Sequence, residues 1–189
     1  MSSPGAAIVQ SDKTVLIELA HPSAEDARHD ISLFSELERA PEHIHTYRIT
    51  RLAVWNAEAA GHTAAEMIDL LSKHSRFPLP EGVVTDITDW CNRCGRIELV
   101  KDPDTAEIIL QGDEAILAEV ISHKKIFPHI LDASERVVIN PLARGIIKQE
   151  LLKIGWPASD KAGFVEGTPW PMELLEDGWS LRDYQHAAI

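Results

Sequence analysis

Two cysteines, Cys91 and Cys94, stand at the spacing of a thiol–disulfide pair or of half a zinc site. A four-cysteine site needs a second pair, and these two are the whole cysteine content. Both also fall on an apolar stripe with Val83, Ile87 and Trp90, so burial as small hydrophobes is the expectation. His43 and His45 are two apart and point to one face of a strand, where Glu42 or His62 could complete an adventitious metal site. No third ligand follows at a characteristic spacing, so ordinary surface or cap histidines are expected and no metal. Asp113-Glu-Ala-Ile116 after an apolar strand imitates the acidic box of a nucleotide-driven motor. No Gly-x-x-x-x-Gly-Lys-Ser/Thr loop precedes it to cradle phosphates, and Asp113 reads more simply as a helix N-cap. A Gly-x-Ser-x-Gly elbow and a convincing Ser/His/Asp or Cys/His constellation are absent too. The sequence therefore predicts no catalytic residue and no cofactor held by this chain alone.

A different chemistry is offered by cations. Between residues 121 and 159, Lys124, Lys125, Arg136, Arg144, Lys148 and Lys153 face only Asp132, Glu135 and Glu150. Arg144 and Lys148 are four apart, which puts them on one face of a helix, and Lys124-Lys125 follows the preceding helix. Read functionally, Lys124, Lys125, Arg144 and Lys148 form a phosphate-contacting patch, with Trp156 available to stack on an unpaired base. A solvated helix face offset by Glu150 is the competing reading.

These groups need elements to hold them. Ile8-Val9 and Val15–Ala20 suggest a small hairpin, Ser23 an N-cap for a helix over 23–34, and Ile44–Ile49 a short strand. Thr50 can cap a helix that Gly61 stops, and Thr63-Ala-Ala-Glu66 is a capping box for the next. A third helix opens at Pro80 and closes at Gly95. Ile97–Val100 and Glu107–Leu110 follow as strands around the turn-rich Lys101–Thr105. Three short helices and a hairpin outline a winged helix-turn-helix. A second unit starts near Gly112 with a helix over 113–122; Arg136–Ile139 then reads as a strand, and Asn140-Pro141 opens a helix that ends at Gly155. Residues 157–178, rich in proline and glycine, read as a connecting arm. The fold class expected is thus α+β: a winged-helix-like unit over 1–111, a small mixed α/β domain over 112–170, and a further segment over 171–189.

Composition limits what these units do. The chain has 189 residues, 44% of them hydrophobic, enough to build real cores. The net charge of -12 argues against a generic duplex-coating protein, since backbone binding replaces condensed counterions with lysine and arginine. Helix 80–94 would present Glu81, Asp86 and Asp89 to a groove with only Arg93 in support, so that helix suits protein docking better than base reading. No apolar run reaches the roughly eighteen residues of a membrane span, and the start lacks a secretory signal, so a cytoplasmic location without membrane contact is expected.

The segment Trp179-Ser-Leu-Arg-Asp-Tyr-Gln185-His-Ala-Ala-Ile189 resembles the start of the first motor domain of XPB-type superfamily-two DNA helicases. Upstream, Ile8–Leu16, His45–Thr50, Leu79-Pro80, Gly95-Arg96 and Lys148–Pro157 look like the N-terminal half of actinobacterial members. The resemblance implies that Gln185 reads adenine with Arg182 beside it, and that a RecA-like motor domain, absent here, would follow. It implies ATP and Mg for the full-length parent and none for this chain. It further implies an N-terminal extension over 1–111 that docks a repair nuclease or other repair protein. Residues 112–170 take the place of a damage-recognition domain, with damaged or forked DNA as partner. Two alternatives stay open: a protein-interaction module without DNA affinity, and a stand-alone winged-helix regulator.

Overall fold

The structure, a computed structural model, describes residues 5–164 together with Arg182 and Tyr184. Its first sheet is built from β1 (Ala7–Val9), β2 (Thr14–Glu18), β3 (Glu36–Arg39) and β4 (Ile44–Arg48), in the order β1-β2-β4-β3 and wholly antiparallel. Alternation decides which face is covered: Val15 pairs with Tyr47 and Ala7 with Ile17, and all four are buried. Four helices supply the cover: α1 (Ala24–Ser32), α2 (Arg51–Ala59), α3 (Ala64–His74) and α4 (Glu81–Arg93). They contribute Ala27, Ile31, Val54, Met67, Leu71, Val83 and Ile87 to the same core.

Capping sets the helix starts. The Thr50 hydroxyl accepts from the Ala53 amide at 3.1 Å and that of Thr63 from Glu66 at 3.2 Å. Ser23 occupies the N-cap position of α1 without a side-chain cap bond; its hydroxyl lies 2.9 Å from His21 Nδ1 instead. Of the apolar stripe on α4, Val83 and Ile87 are fully buried, while Trp90 and Cys91 pack partly against the core. The hairpin turn is tied to this helix by Lys13, whose Nζ donates to Asp86 at 2.6 Å. Asp30 on α1 meets Lys73 at 2.9 Å and the buried His74 at 2.7 Å, which locks α1 against the end of α3.

The second sheet contains β5 (Ile97–Lys101), β6 (Ile108–Gly112), β7 (Ile130–Asp132), β8 (Val137–Ile139) and β9 (Ala158–Asp160), ordered β7-β8-β6-β5-β9. Among the described strands of this sheet, β5 and β9 are the one pair in parallel. Since β8 is antiparallel to β6 and β6 to β5, β8 and β9 run the same way, and a helix must cross between them. That helix is α6 (Arg144–Ile154), reached through a 3-10 turn at Pro141–Ala143. With α5 (Glu114–Ile121) it closes a core of Ile97, Leu99, Leu110, Val120, Ile126, Ile139, Ile147 and Leu151.

Two expectations change here. The hairpin β5–β6, expected as the wing of the first unit, bonds along both flanks into the second sheet, to β8 and to β9. Its inward residues Ile97, Leu99, Ile108 and Leu110 belong to the second core, so the cores separate between α4 and β5 and not at residue 111. The physical reason is that an alternating hairpin exposes one apolar face until a partner covers it, and α5 and α6 supply that cover. Secondly, residues 158–160, expected within a connecting arm, form the edge strand β9.

Because Ile87 and Leu110 sit at the centres of the two cores, with exposures of 0% and 1%, truncation leaves a cavity at each. We predict that Ile87→Ala and Leu110→Ala each lower the unfolding free energy by about 2–5 kcal/mol in urea denaturation. A loss under about 1 kcal/mol at either position contradicts the core assignment.

Candidate nucleic-acid interface

Helix α6 organises the predicted patch. The Asn140 side chain accepts from the Leu142 amide at 3.0 Å and starts the turn that leads into the helix. Gly155 ends it with a φ of +91°, in the left-handed region that favours glycine. Arg144 and Lys148 share a flank of α6, as the spacing predicts, but they do not stand free. Arg144 grips Asp160 of β9 in a bidentate pair, with Nε at 2.8 Å from Oδ2, and its Nη1 donates to the Gly163 carbonyl at 2.6 Å. Lys148 reaches the same carboxylate at 3.0 Å.

Asp160 therefore neutralises part of the patch. Burial acts to raise its pKa, yet the hydrogen bonds from Arg144 and Lys148 outweigh burial and bring the carboxyl down to about 2. On the other flank, Lys125 lies 3.6 Å and Lys153 2.7 Å from the nearly buried Glu150. Glu150 is held below the usual carboxylate range, foremost by the Lys153 hydrogen bond, with burial opposing and Lys125 assisting. Lys124 is exposed and meets no carboxylate within bonding distance among the described residues. Trp156 is half-buried; its Nε1 approaches Glu119 at 3.5 Å, and the Arg93 guanidinium lies 5.0 Å from its ring centroid.

The five predicted contact residues thus divide among three settings: Arg144 and Lys148 around Asp160, Lys125 beside Glu150 with Lys124 free next to it, and Trp156 under Arg93. Sequence reasoning missed Asp160, because Ala-Ser-Asp has no strand signal. It also missed that Arg93 turns toward the second unit, where its Nη1 donates to the Gly155 carbonyl at 3.4 Å. The signal available was that Arg93 is the lone cation on an otherwise acidic helix face.

The other chemistry-bearing groups sit in quiet surroundings. Cys91 and Cys94 are half-buried and unbonded to each other. Burial, and after it Glu58, raises the Cys91 thiol and pushes Cys94 up to about 12, so neither is a ready thiolate. No three His, Cys, Asp or Glu side chains cluster as metal ligands among the described residues, His43, His45 and His62 included. Asp113 accepts from the Ala115 amide at 3.0 Å and caps α5. A wide depression of about 1010 Å³ between β6 and α5 contains none of the predicted contact residues. Arg182 and Tyr184 are exposed, whereas Gln185 lies outside the described residues.

With the two sheets and the α6 cluster established, comparison with known proteins gives the class. Residues 7–135 match the family described as helicase conserved C-terminal domain, and the chain belongs to that helicase family. Within it the relatives are XPB-type DNA helicases. The chain is 51% identical over 187 residues to the DNA 3'-5' helicase XPB of Mycobacterium tuberculosis and 46% identical over 187 residues to that of Kineococcus radiotolerans. These matches cover 97% and 98% of this chain, which spans about a third of the length of each relative (34%). The general transcription and DNA repair factor IIH helicase/translocase subunit XPB of Schizosaccharomyces pombe is 28% identical over 123 residues, 65% of this chain and 15% of that protein.

Asp160 sets the pH behaviour of this region. Its folded pKa lies below the ordinary value of 3.8, so its ion pairs stabilise the fold above about pH 4 and are lost as pH falls toward about 2. The contribution at neutral pH is on the order of 2 kcal/mol, from 1.36 kcal/mol per pKa unit. Asp160→Asn should lower the urea midpoint at pH 7, and the gap to the wild-type chain should narrow between about pH 4 and 2. A gap independent of pH across that window contradicts the assignment.

Proposed function

We propose that this chain is the accessory N-terminal region of an ATP-dependent XPB-type DNA repair helicase, positioning the motor on damaged or branched DNA and docking a protein partner. The observation that carries the reading is 51% identity, sustained over 97% of the chain, to a DNA 3'-5' helicase XPB. In this reading the first unit, the sheet β1–β4 with helices α1–α4, is the extension that docks a repair nuclease or other repair protein. The second unit, which begins at β5, occupies the place of the damage-recognition domain, and 171–189 begin the first motor domain, with Gln185 and Arg182 reading adenine. ATP and Mg then belong to the full-length parent, in the cytoplasm. Lys124, Lys125, Arg144, Lys148 and Trp156 are the DNA contacts assigned on this reading, and Lys124, the cation among them with no ion pair among the described residues, is its most accessible test.

A second reading, protein docking without DNA affinity, is favoured by a specific observation. The exposed side of α4 carries Glu81 and Asp89, and Arg144, Lys148 and Lys125 are matched by Asp160 and Glu150. Carboxylates on that scale repel phosphate and suit a basic protein partner.

Forked DNA separates the two. The chain should bind a fork in low salt with an affinity that falls steeply as salt rises. Lys124→Glu should weaken binding by a few-fold, and Asp160→Asn, which releases two cations, should strengthen it; fluorescence anisotropy reads both. The purified chain should also show no DNA-stimulated ATPase in a phosphate-release assay, since it contains no phosphate loop. Absence of any salt-sensitive binding, together with capture of a repair protein, moves the assignment to the docking module.

A further inference from the structure

Two arginines meet at the seam between the two units, and a third lines the hollow beside one of them. Arg93 and Arg96 come from the last turn of α4 and the residues just beyond it, and Arg51 is the first residue of α2. A side-chain carbon placed on Gly155 would lie 3.0 Å from Nη1 of Arg93 and 3.2 Å from Nη1 of Arg51, so both guanidinium groups crowd one glycine. Arg93 and Arg96, with Asn92, Ile116, Trp156 and Asp89, line a hollow of about 400 Å³ beside it.

What sets this cluster apart is that, among the described residues, it has no carboxylate partner. Arg144 and Arg136 are each neutralised by carboxylates. Among the described residues, no carboxylate comes within 4.0 Å of Arg51, Arg93 or Arg96. Arg93 makes a single long bond, 3.4 Å to the Gly155 carbonyl, and Arg96 one of 3.2 Å to the Asn92 carbonyl. A guanidinium carries five donors, so most of this cluster's hydrogen-bonding capacity is unspent. Capping the C-terminus of α6 does not account for it, because the Gly155 and Trp156 amides already satisfy Leu152 and Leu151 at 3.2 and 2.9 Å. Two acidic side chains sit nearby: Asp89 lines the hollow, and Glu119 meets the indole edge of Trp156 at 3.5 Å. Neither pairs with an arginine.

The aromatic content completes the chemistry. Arg93 lies 5.0 Å from the ring centroid of Trp156, and Arg51 lies 6.0 Å from that of Trp55. Trp55 is buried and fixed by an indole hydrogen bond of 2.9 Å to the Trp90 carbonyl, so it braces Arg51 and is not a ligand contact. Trp156 is half-buried and borders the hollow. Unpaired guanidinium groups beside a partly open indole are the pairing that holds a phosphodiester strand and stacks its bases.

We infer that the seam formed by Arg51, Arg93, Arg96 and Trp156 is a single-stranded DNA site, with the arginines on consecutive phosphates and Trp156 on a base. This deepens the proposed function and rests on it: the seam holds the unpaired arm of the fork, beside the α6 cations assigned to the rest of the DNA.

The test uses the full chain and a labelled oligothymidylate in anisotropy titrations from low to physiological salt. The double substitution R51Q/R96Q touches only exposed side chains, so the fold is kept. It should weaken binding about tenfold and flatten the log–log salt slope by about 1.4, the value for two lost phosphate contacts on a single strand. Trp156→Leu should weaken binding roughly tenfold with little change in slope, as a stacking contact requires. A blunt duplex of the same length should bind more weakly than the single strand.

Unchanged affinity and slope in R51Q/R96Q, with the wild-type chain binding, overturns the seam site and leaves the proposed function standing. Equal or tighter binding of the blunt duplex overturns the single-strand assignment. A wild-type chain that binds no DNA form in a salt-sensitive manner overturns this inference and the DNA-positioning role together.

Discussion

The left-handed turn at Gly155 is the constraint on which the second half of the molecule depends. With a φ of +91°, it lets α6 end and the chain reverse within a few residues. Two consequences follow in opposite directions. Downstream, the reversal brings β9 alongside β5, so that Asp160 arrives opposite Arg144 and Lys148. Locally, it leaves the Gly155 carbonyl and the Trp156 ring facing the end of α4, where Arg93 meets both. A side chain at 155 would strain the backbone and press on Arg93 and Arg51 together. One backbone conformation thereby ties the second core to its edge strand and the two units to each other.

Charge allocation then explains what kind of surface results. A chain with a net charge of -12 has few cations, and most of those in the second unit are matched inside it by Asp160, Glu150, Asp102 and Glu107. Paired cations stabilise the fold and contribute little to a phosphate strand. Among the described residues, several cations meet no carboxylate, Lys124 among them, and three of these, Arg51, Arg93 and Arg96, lie at the seam, one helix turn from an acidic face. On the proposed reading such a recess on an acidic protein would bind locally and not coat duplex, in keeping with the overall charge.

Much of the scaffold was legible because its signals are local. Thr50, Thr63, Asp113 and Asn140 cap what their types and positions imply, and the alternation in 97–100 and 107–110 marks real strands. The strands β3, β7 and β9 were not legible. Glu36–Arg39 is exposed throughout, and Ala158–Asp160 has weak strand propensity, so pairing with a neighbour made them strands where their own residues did not. The ownership of the β5–β6 hairpin was hidden for a related reason: periodicity shows that one face is apolar and not which helices will cover it. For the site, the spacing of Arg144 and Lys148 placed them correctly on one flank, but their neutralisation depends on a residue sixteen and twelve positions away from them, in a segment that read as linker. The seam arginines come from 51, 93 and 96, and no local pattern joins them.

The most direct measurement is hydrogen exchange of the full chain, with and without a saturating forked DNA that carries one unpaired arm. Slowed exchange at the amides of 93–96 and 155–157, with α5 and the first sheet unchanged, is the expected result. Exchange at the seam that is indifferent to DNA, or protection confined to the exposed flank of α6, contradicts the claim that the Gly155 turn is where this chain meets its nucleic acid.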